Sequence, residues 1–144
     1  MHAIRLHSIV KNLFVVFALF FSISSVAQST DEQLAAQFYE AGEYQQAVDI
    51  YKKLFRKSSS SIYIYENYLN SLIALNEEKD AENLVEKQIK NNQNGFNYLV
   101  DLAYVYVQFK NTDKANAYLD DLIRDFADDR NAVNTLAQAM IRRQ

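Results

Sequence analysis

An alanine returns every 34 residues along this chain, at Ala47, Ala81 and Ala115. Other columns keep the same step without a gap: Leu34, Tyr68, Leu102 and Leu136; Ala35, Leu69, Ala103 and Ala137; Phe38, Leu72, Tyr106 and Met140; Tyr51, Val85 and Leu119; Phe55, Ile89 and Ile123; Ala41, Leu75 and Phe109. One such column means little, but this many in one register define a repeat. A repeat of this length is one supersecondary unit that cannot bury its apolar face alone and must stack on its neighbours.

Each period holds two helical stripes. In the third copy Leu99, Leu102, Ala103 and Tyr106 recur at helical spacing, and so do Ala115, Tyr118, Leu119 and Leu122. The stripes stop at Gly42 and Asn76, residue types suited to a left-handed helix end. They stop again at the serine run 58–61 and at 91–95. Ser29 with Glu32 fits a capping box for the first helix. Composition agrees: there is no proline and there are two glycines in 144 residues, which disfavours a turn-rich all-β chain. The alanine columns let the two helices of a pair approach closely, and large residues such as Phe38, Tyr51 and Tyr106 fill the space between pairs.

These residues resemble the tetratricopeptide repeat. Leu34–Ala35, Phe38, Gly42, Tyr44, Ala47 and Tyr51 follow that family's pattern in copy one, and Leu102–Ala103, Tyr106, Ala115 and Leu119 follow it in copy three. Copy two departs, with Leu69 where a small residue is usual and Gln88 where a small or apolar one is usual. The resemblance implies an all-α, right-handed α-solenoid of antiparallel helix pairs. Its units are expected at 28–61, 62–95 and 96–129. Residues 130–144 are either a capping helix or the start of a fourth unit.

Residues 1–27 read as a secretory signal. Arg5 and Lys11 precede nine unbroken apolar residues, 13–21, and Ser25 and Ala27 supply the small residues of a cleavage site. Nine residues at about 1.5 Å each reach less than half of the roughly 30 Å of membrane hydrocarbon. The expectation is a cut after Ala27, an exported, periplasmic product and no stable membrane span; an uncleaved anchor is the alternative. The segment takes Arg5, Lys11, His2 and His7 with it, leaving 13 basic against 18 acidic residues and a net charge of −5. With no histidine or cysteine left, the product has no serine–histidine or cysteine–histidine pair and no site for a histidine- or thiolate-bound metal. No enzyme activity and no cofactor are expected.

The resemblance also implies a partner, since tetratricopeptide arrays use a concave surface lined by the first helix of each pair to bind a segment of another protein. The lining expected here is Glu32 and Tyr39 from copy one, Tyr63, Glu66, Asn67 and Asn70 from copy two, and Asn97, Asp101, Tyr104 and Gln108 from copy three. Asparagine amides donate and accept at once and suit a peptide backbone. Tyrosines offer flat apolar area with a polar tip. The alternative for the same residues is plain solvated helix surface. Family members that grip a C-terminal carboxylate do so with two lysines, an arginine and two asparagines; the matching positions are Glu32, Ala36, Asn67, Asn97 and Asp101, and only Asn67 agrees. An acidic lining disfavours an acidic tail, so a neutral or basic extended segment is the expected ligand.

Other charged groups have simpler readings. Lys52, Lys53, Arg56 and Lys57 suit the end of a helix, where positive charge is favoured, and the net negative charge argues against nucleic acid. Asp120 stands four residues before Arg124 and can pair with it, and Asp128 or Asp129 can cap the last helix. Two rivals to an interaction module stand: a structural spacer within a longer array, and a hydrolase using the carboxylates of Glu66 and Asp101.

Overall fold

The computed structural model describes residues 29–92 and 95–143. The expected signal segment and its cleavage site lie outside the described residues. Those described form seven helices and no strand: α1 (Ser29–Glu40), α2 (Tyr44–Lys57), α3 (Ile62–Ala74), α4 (Glu78–Asn91), α5 (Phe96–Gln108), α6 (Thr112–Phe126) and α7 (Arg130–Arg142). Each helix packs on the next in sequence, giving an all-α helical-repeat solenoid.

The turn inside each pair is built the same way three times. Gly42, Asn76 and Lys110, spaced by the repeat, have φ of 76°, 64° and 63°. The residue after each donates its N–H five residues back, Glu43 to Phe38 at 2.8 Å, Glu77 to Leu72 at 2.9 Å and Asn111 to Tyr106 at 2.8 Å. This is a Schellman ending, which satisfies carbonyls that the helix leaves over. Lys110 adopts the conformation without the freedom of glycine or the tolerance of asparagine.

The small residues sit where the helices meet. Ala35, Ala47, Ala81, Ala103 and Ala115 are all buried, and Tyr51, Tyr65, Leu69, Leu72, Val85 and Val105 are wholly enclosed around them. One core runs from Ala35 to Ala115. A second, smaller one joins Val100, Leu122, Leu136 and Ala139 under α7. The departures of copy two have local reasons. Leu69 fills the main core, and buried Gln88 donates from Nε2 to the Ser59 carbonyl at 2.8 Å, tying α4 to the loop before α3.

α7 breaks the pattern of the other first helices. α3 and α5 pack heavily on the second helix before them, but α7 packs chiefly on α5 and only lightly on α6. Asp129 caps it, accepting from the N–H groups of Asn131 at 2.9 Å and Ala132 at 3.0 Å. Arg124 bonds Asp121 at 2.7 Å rather than the expected Asp120, because the three-residue spacing brings those two side chains together on α6. No described helix is long and apolar enough to cross a membrane.

Candidate functional site

The residues expected to line a binding surface lie on α1, α3 and α5, and they do not share one environment. Tyr63 is half exposed, and Asn97 and Gln108 are exposed. Glu32, Tyr39, Asn67, Asn70 and Tyr104 are partly covered. Asp101 has no solvent contact at all.

Asp101 is the hinge of the site. Tyr65 on α3 donates its hydroxyl to Asp101 Oδ2 at 2.8 Å, and Arg143 donates Nε to Oδ1 at 2.7 Å. Tyr65 is itself held by an edge-to-face contact with Tyr98, ring centres 5.0 Å apart. Gly95 makes room for Tyr98, since a Cβ there would stand 2.6 Å from Tyr98 Cδ2. The guanidinium of Arg143 lies over the Tyr104 ring, 4.9 Å from its centre. Arg142 reaches back to α3, where Nη1 meets Glu66 Oε1 at 2.6 Å, and its Nη2 stands 3.5 Å from Asp101. Two arginines at the end of α7 thus join Glu66, Asp101 and Tyr104 into one cluster.

Burial and charge set the protonation states here. Burial, reinforced by the charge and hydrogen bond of Asp101, pushes the Tyr65 hydroxyl far above the usual tyrosine range, so it stays a donor. Burial works against the charge of Arg143, but the hydrogen bond and charge of Asp101, with Tyr65 and Glu66, outweigh it and raise its pKa. Arg143 Nη2 is buried with no hydrogen-bond partner, so this guanidinium still has a donor to give. Both oxygens of Asp101 are thus engaged, and Glu66 is held by Arg142.

The other end of the surface is aromatic. Tyr39 packs on Tyr44 with ring centres 5.4 Å apart, and burial, then Tyr44 and Tyr104, raise its pKa. Tyr51 is fully buried, and its hydroxyl makes no hydrogen bond of acceptable geometry. Burial, Tyr63, Glu32 and Glu40 push it up to about 12. Asn67 spends part of its amide on its own helix, donating to the Tyr63 carbonyl at 2.8 Å. On α2, Lys52 and Arg56 line a separate open cleft of about 250 Å³ with Asp80 and Lys87. Among the described residues no group of three or more His, Cys, Asp or Glu side chains gathers as a metal site.

Arg143, Arg142 and Tyr65 were not among the expected site residues. A signal for Arg143 does exist: it falls 34 residues after Phe109, in the column of Ala41, Leu75 and Phe109. A cation in an otherwise apolar column needs an acid, and Asp101 supplies it.

A family model described as tetratricopeptide repeat matches residues 33–61 and 98–129. These segments fall on α1–α2 and α5–α6. The unmatched pair, α3–α4, is the one that carries Leu69 and Gln88. No curated protein matches the chain by sequence. The matches support a tetratricopeptide-repeat family and, with it, a helical-repeat module for protein interaction.

Proposed function

Taking the chain as a tetratricopeptide-repeat protein, we propose that it is an exported adaptor that binds a neutral or basic extended segment of a partner protein on the surface lined by α1, α3 and α5. The observation that carries this reading is the chemistry of that surface. Its expected lining holds tyrosines, amides and three acids, Glu32, Glu66 and Asp101, the last two paired with Arg142 and Arg143 from the end of α7. Tyr39, Tyr63 and Tyr104 supply rigid contact area at small entropic cost, and Asn70 and Asn97 supply paired donors and acceptors. An extended segment offers the backbone groups those amides need.

Export rests on the leader-like pattern of residues 1–27. Two experiments test the reading. N-terminal sequencing of the endogenous protein from the envelope fraction is expected to begin at Gln28, and a start at Met1 contradicts cleavage. A photoreactive group in place of Tyr63 is expected to crosslink one discrete partner in cells, while the same group in place of exposed Lys53 on α2 does not. Adducts from Lys53 alone would move the interaction to the opposite face.

A further inference from the structure

We infer that the α3–α5 end of this surface is an arginine-recognition subsite, held in this structure by the chain's own Arg142 and Arg143, and that the partner segment carries a pair of adjacent arginines that takes their place. The inference deepens the proposed function and rests on its binding surface.

Four features mark a site for guanidinium rather than a general acidic patch. Asp101 has no solvent contact, and one oxygen is fixed by the wholly enclosed Tyr65, leaving the other to accept from Arg143 Nε at 2.7 Å with Arg142 Nη2 3.5 Å away. Tyr104 offers a ring face at 4.9 Å, a contact that favours the flat guanidinium. Glu66 stands on the neighbouring helix as a second acid, so two consecutive arginines are read by two carboxylates. Beside Arg143 lies an open cleft of about 260 Å³, more apolar than polar, lined by Val100, Val107, Leu119 and Met140 among others. It suits an apolar side chain next to the arginines.

The present occupant is placed to leave. α7 packs chiefly on α5 and only lightly on α6, and its buried side chains are Ala132, Leu136 and Ala139, so it is held mainly along one neighbour. Arg143 stands in a column that the other repeats fill with apolar residues, so the stacking of the repeats does not call for a cation there. Simple opening is disfavoured, because it would strand the Asp101 charge in a low-dielectric setting. Exchange of one guanidinium for another keeps that charge paired throughout.

The probe is a fluorescent ten-residue Gly/Ser peptide with a central Leu-Arg-Arg, compared with Leu-Lys-Lys and with a citrulline version of the same shape and no charge. A tethered competitor acts at an effective concentration in the millimolar range, so the Arg142→Ala/Arg143→Ala variant is expected to bind the arginine peptide about tenfold or more tighter than the unaltered chain. Adding Asp101→Asn is expected to abolish the gain, and the lysine and citrulline peptides are expected to bind all forms alike, with no gain in the double variant. The unaltered chain gives a reading that needs no variant to fold: the Arg143 Nε–H signal, followed by NMR, moves toward its free position as the arginine peptide is added. No gain in the double variant, or no movement of that signal at saturating peptide, overturns the inference. Citrulline binding as tight as arginine, and lost in Tyr63→Ala/Asn70→Ala, overturns the subsite and leaves the binding surface standing. Uptake of a second copy of the chain in preference to the peptide makes the occupant another protomer and also overturns it. Failure of every peptide on every form overturns both readings.

Discussion

Arg143 bonds Asp101 at 2.7 Å across 42 residues of sequence, and the tyrosine on the far side of that carboxylate, Tyr65, comes from a third helix. The cluster therefore ties α3, α5 and the end of α7 together through one buried charge. Breaking it from the acid side leaves both a cation and a hydroxyl without a partner. Asp101→Ala is expected to cost about 3–5 kcal/mol. Tyr65→Phe removes one hydrogen bond to a charged group and is expected to cost about 1.5–3 kcal/mol. Urea unfolding at neutral pH measures both, and equal costs would contradict the central place of Asp101.

Lys110 holds a left-handed conformation that the equivalent positions give to glycine and asparagine. A non-glycine residue pays about 1–2 kcal/mol there, while glycine gives back roughly 0.4–1 kcal/mol through the unfolded chain. Lys110→Gly is expected to stabilise the protein by about 0.5–1 kcal/mol. Gly42→Ala is expected to destabilise it by a similar amount. A rise in melting temperature for the first and a fall for the second check the pair.

Gln88 is a polar side chain in the core with one long-range duty, the bond to the Ser59 carbonyl. Gln88→Leu keeps the volume but leaves that carbonyl short of a partner, while the Asn92 amide loses Gln88 Oε1 and keeps its bond to the main-chain carbonyl of residue 88 at 2.9 Å. The expected cost is about 1–3 kcal/mol. Amide exchange should also quicken in the serine loop, and an unchanged loop would show that the bond does not hold it.

Buried tyrosines make the fold sensitive to alkali, three of them most strongly. Burial is the first cause in each: Tyr51 and Tyr118 are pushed up to about 12, and Tyr65 is raised further. In the unfolded chain such groups lose their protons near the ordinary value of 10.0. Above it the folded state holds more protons than the unfolded one, so stability is full below about pH 10 and falls as pH rises toward 12. Each retained proton contributes a slope of about 1.4 kcal/mol per pH unit. Tyr51→Phe is expected to cost little at pH 7, where the hydroxyl has at most a weak contact with Tyr63 to lose, and to flatten the alkaline slope by about one proton. Urea midpoints from pH 8 to 11.5 give the slope directly.

The repeat was legible because packing repeats. Every position of the main alanine column is enclosed, as are Ala35 and Ala103. Columns diverge only where no described element covers them. Tyr68, Leu102 and Leu136 are buried while Leu34 on α1 is 42% exposed, and Phe55 is buried while Ile123 on α6 is 59% exposed. These are end effects of a one-dimensional stack. The helix ends at Gly42 and Asn76 were readable from residue type, whereas Lys110 had no such signature. The arginine cluster was hidden for another reason. A pair of arginines after a helix also fits a favourable interaction with the helix end, and local spacing does not reveal that Glu66, 76 residues away, receives one of them.

The most direct test of the account is the charge preference of the α1, α3 and α5 surface. One extended ten-residue peptide is made with net charge +2, 0 and −2, and its affinity is read by fluorescence anisotropy on the unaltered chain and on Tyr63→Ala/Asn70→Ala. The expected order is basic, then neutral, then acidic, with binding of the first two reduced about tenfold in the variant. An acidic peptide that binds best, or binding that ignores the variant, would contradict it.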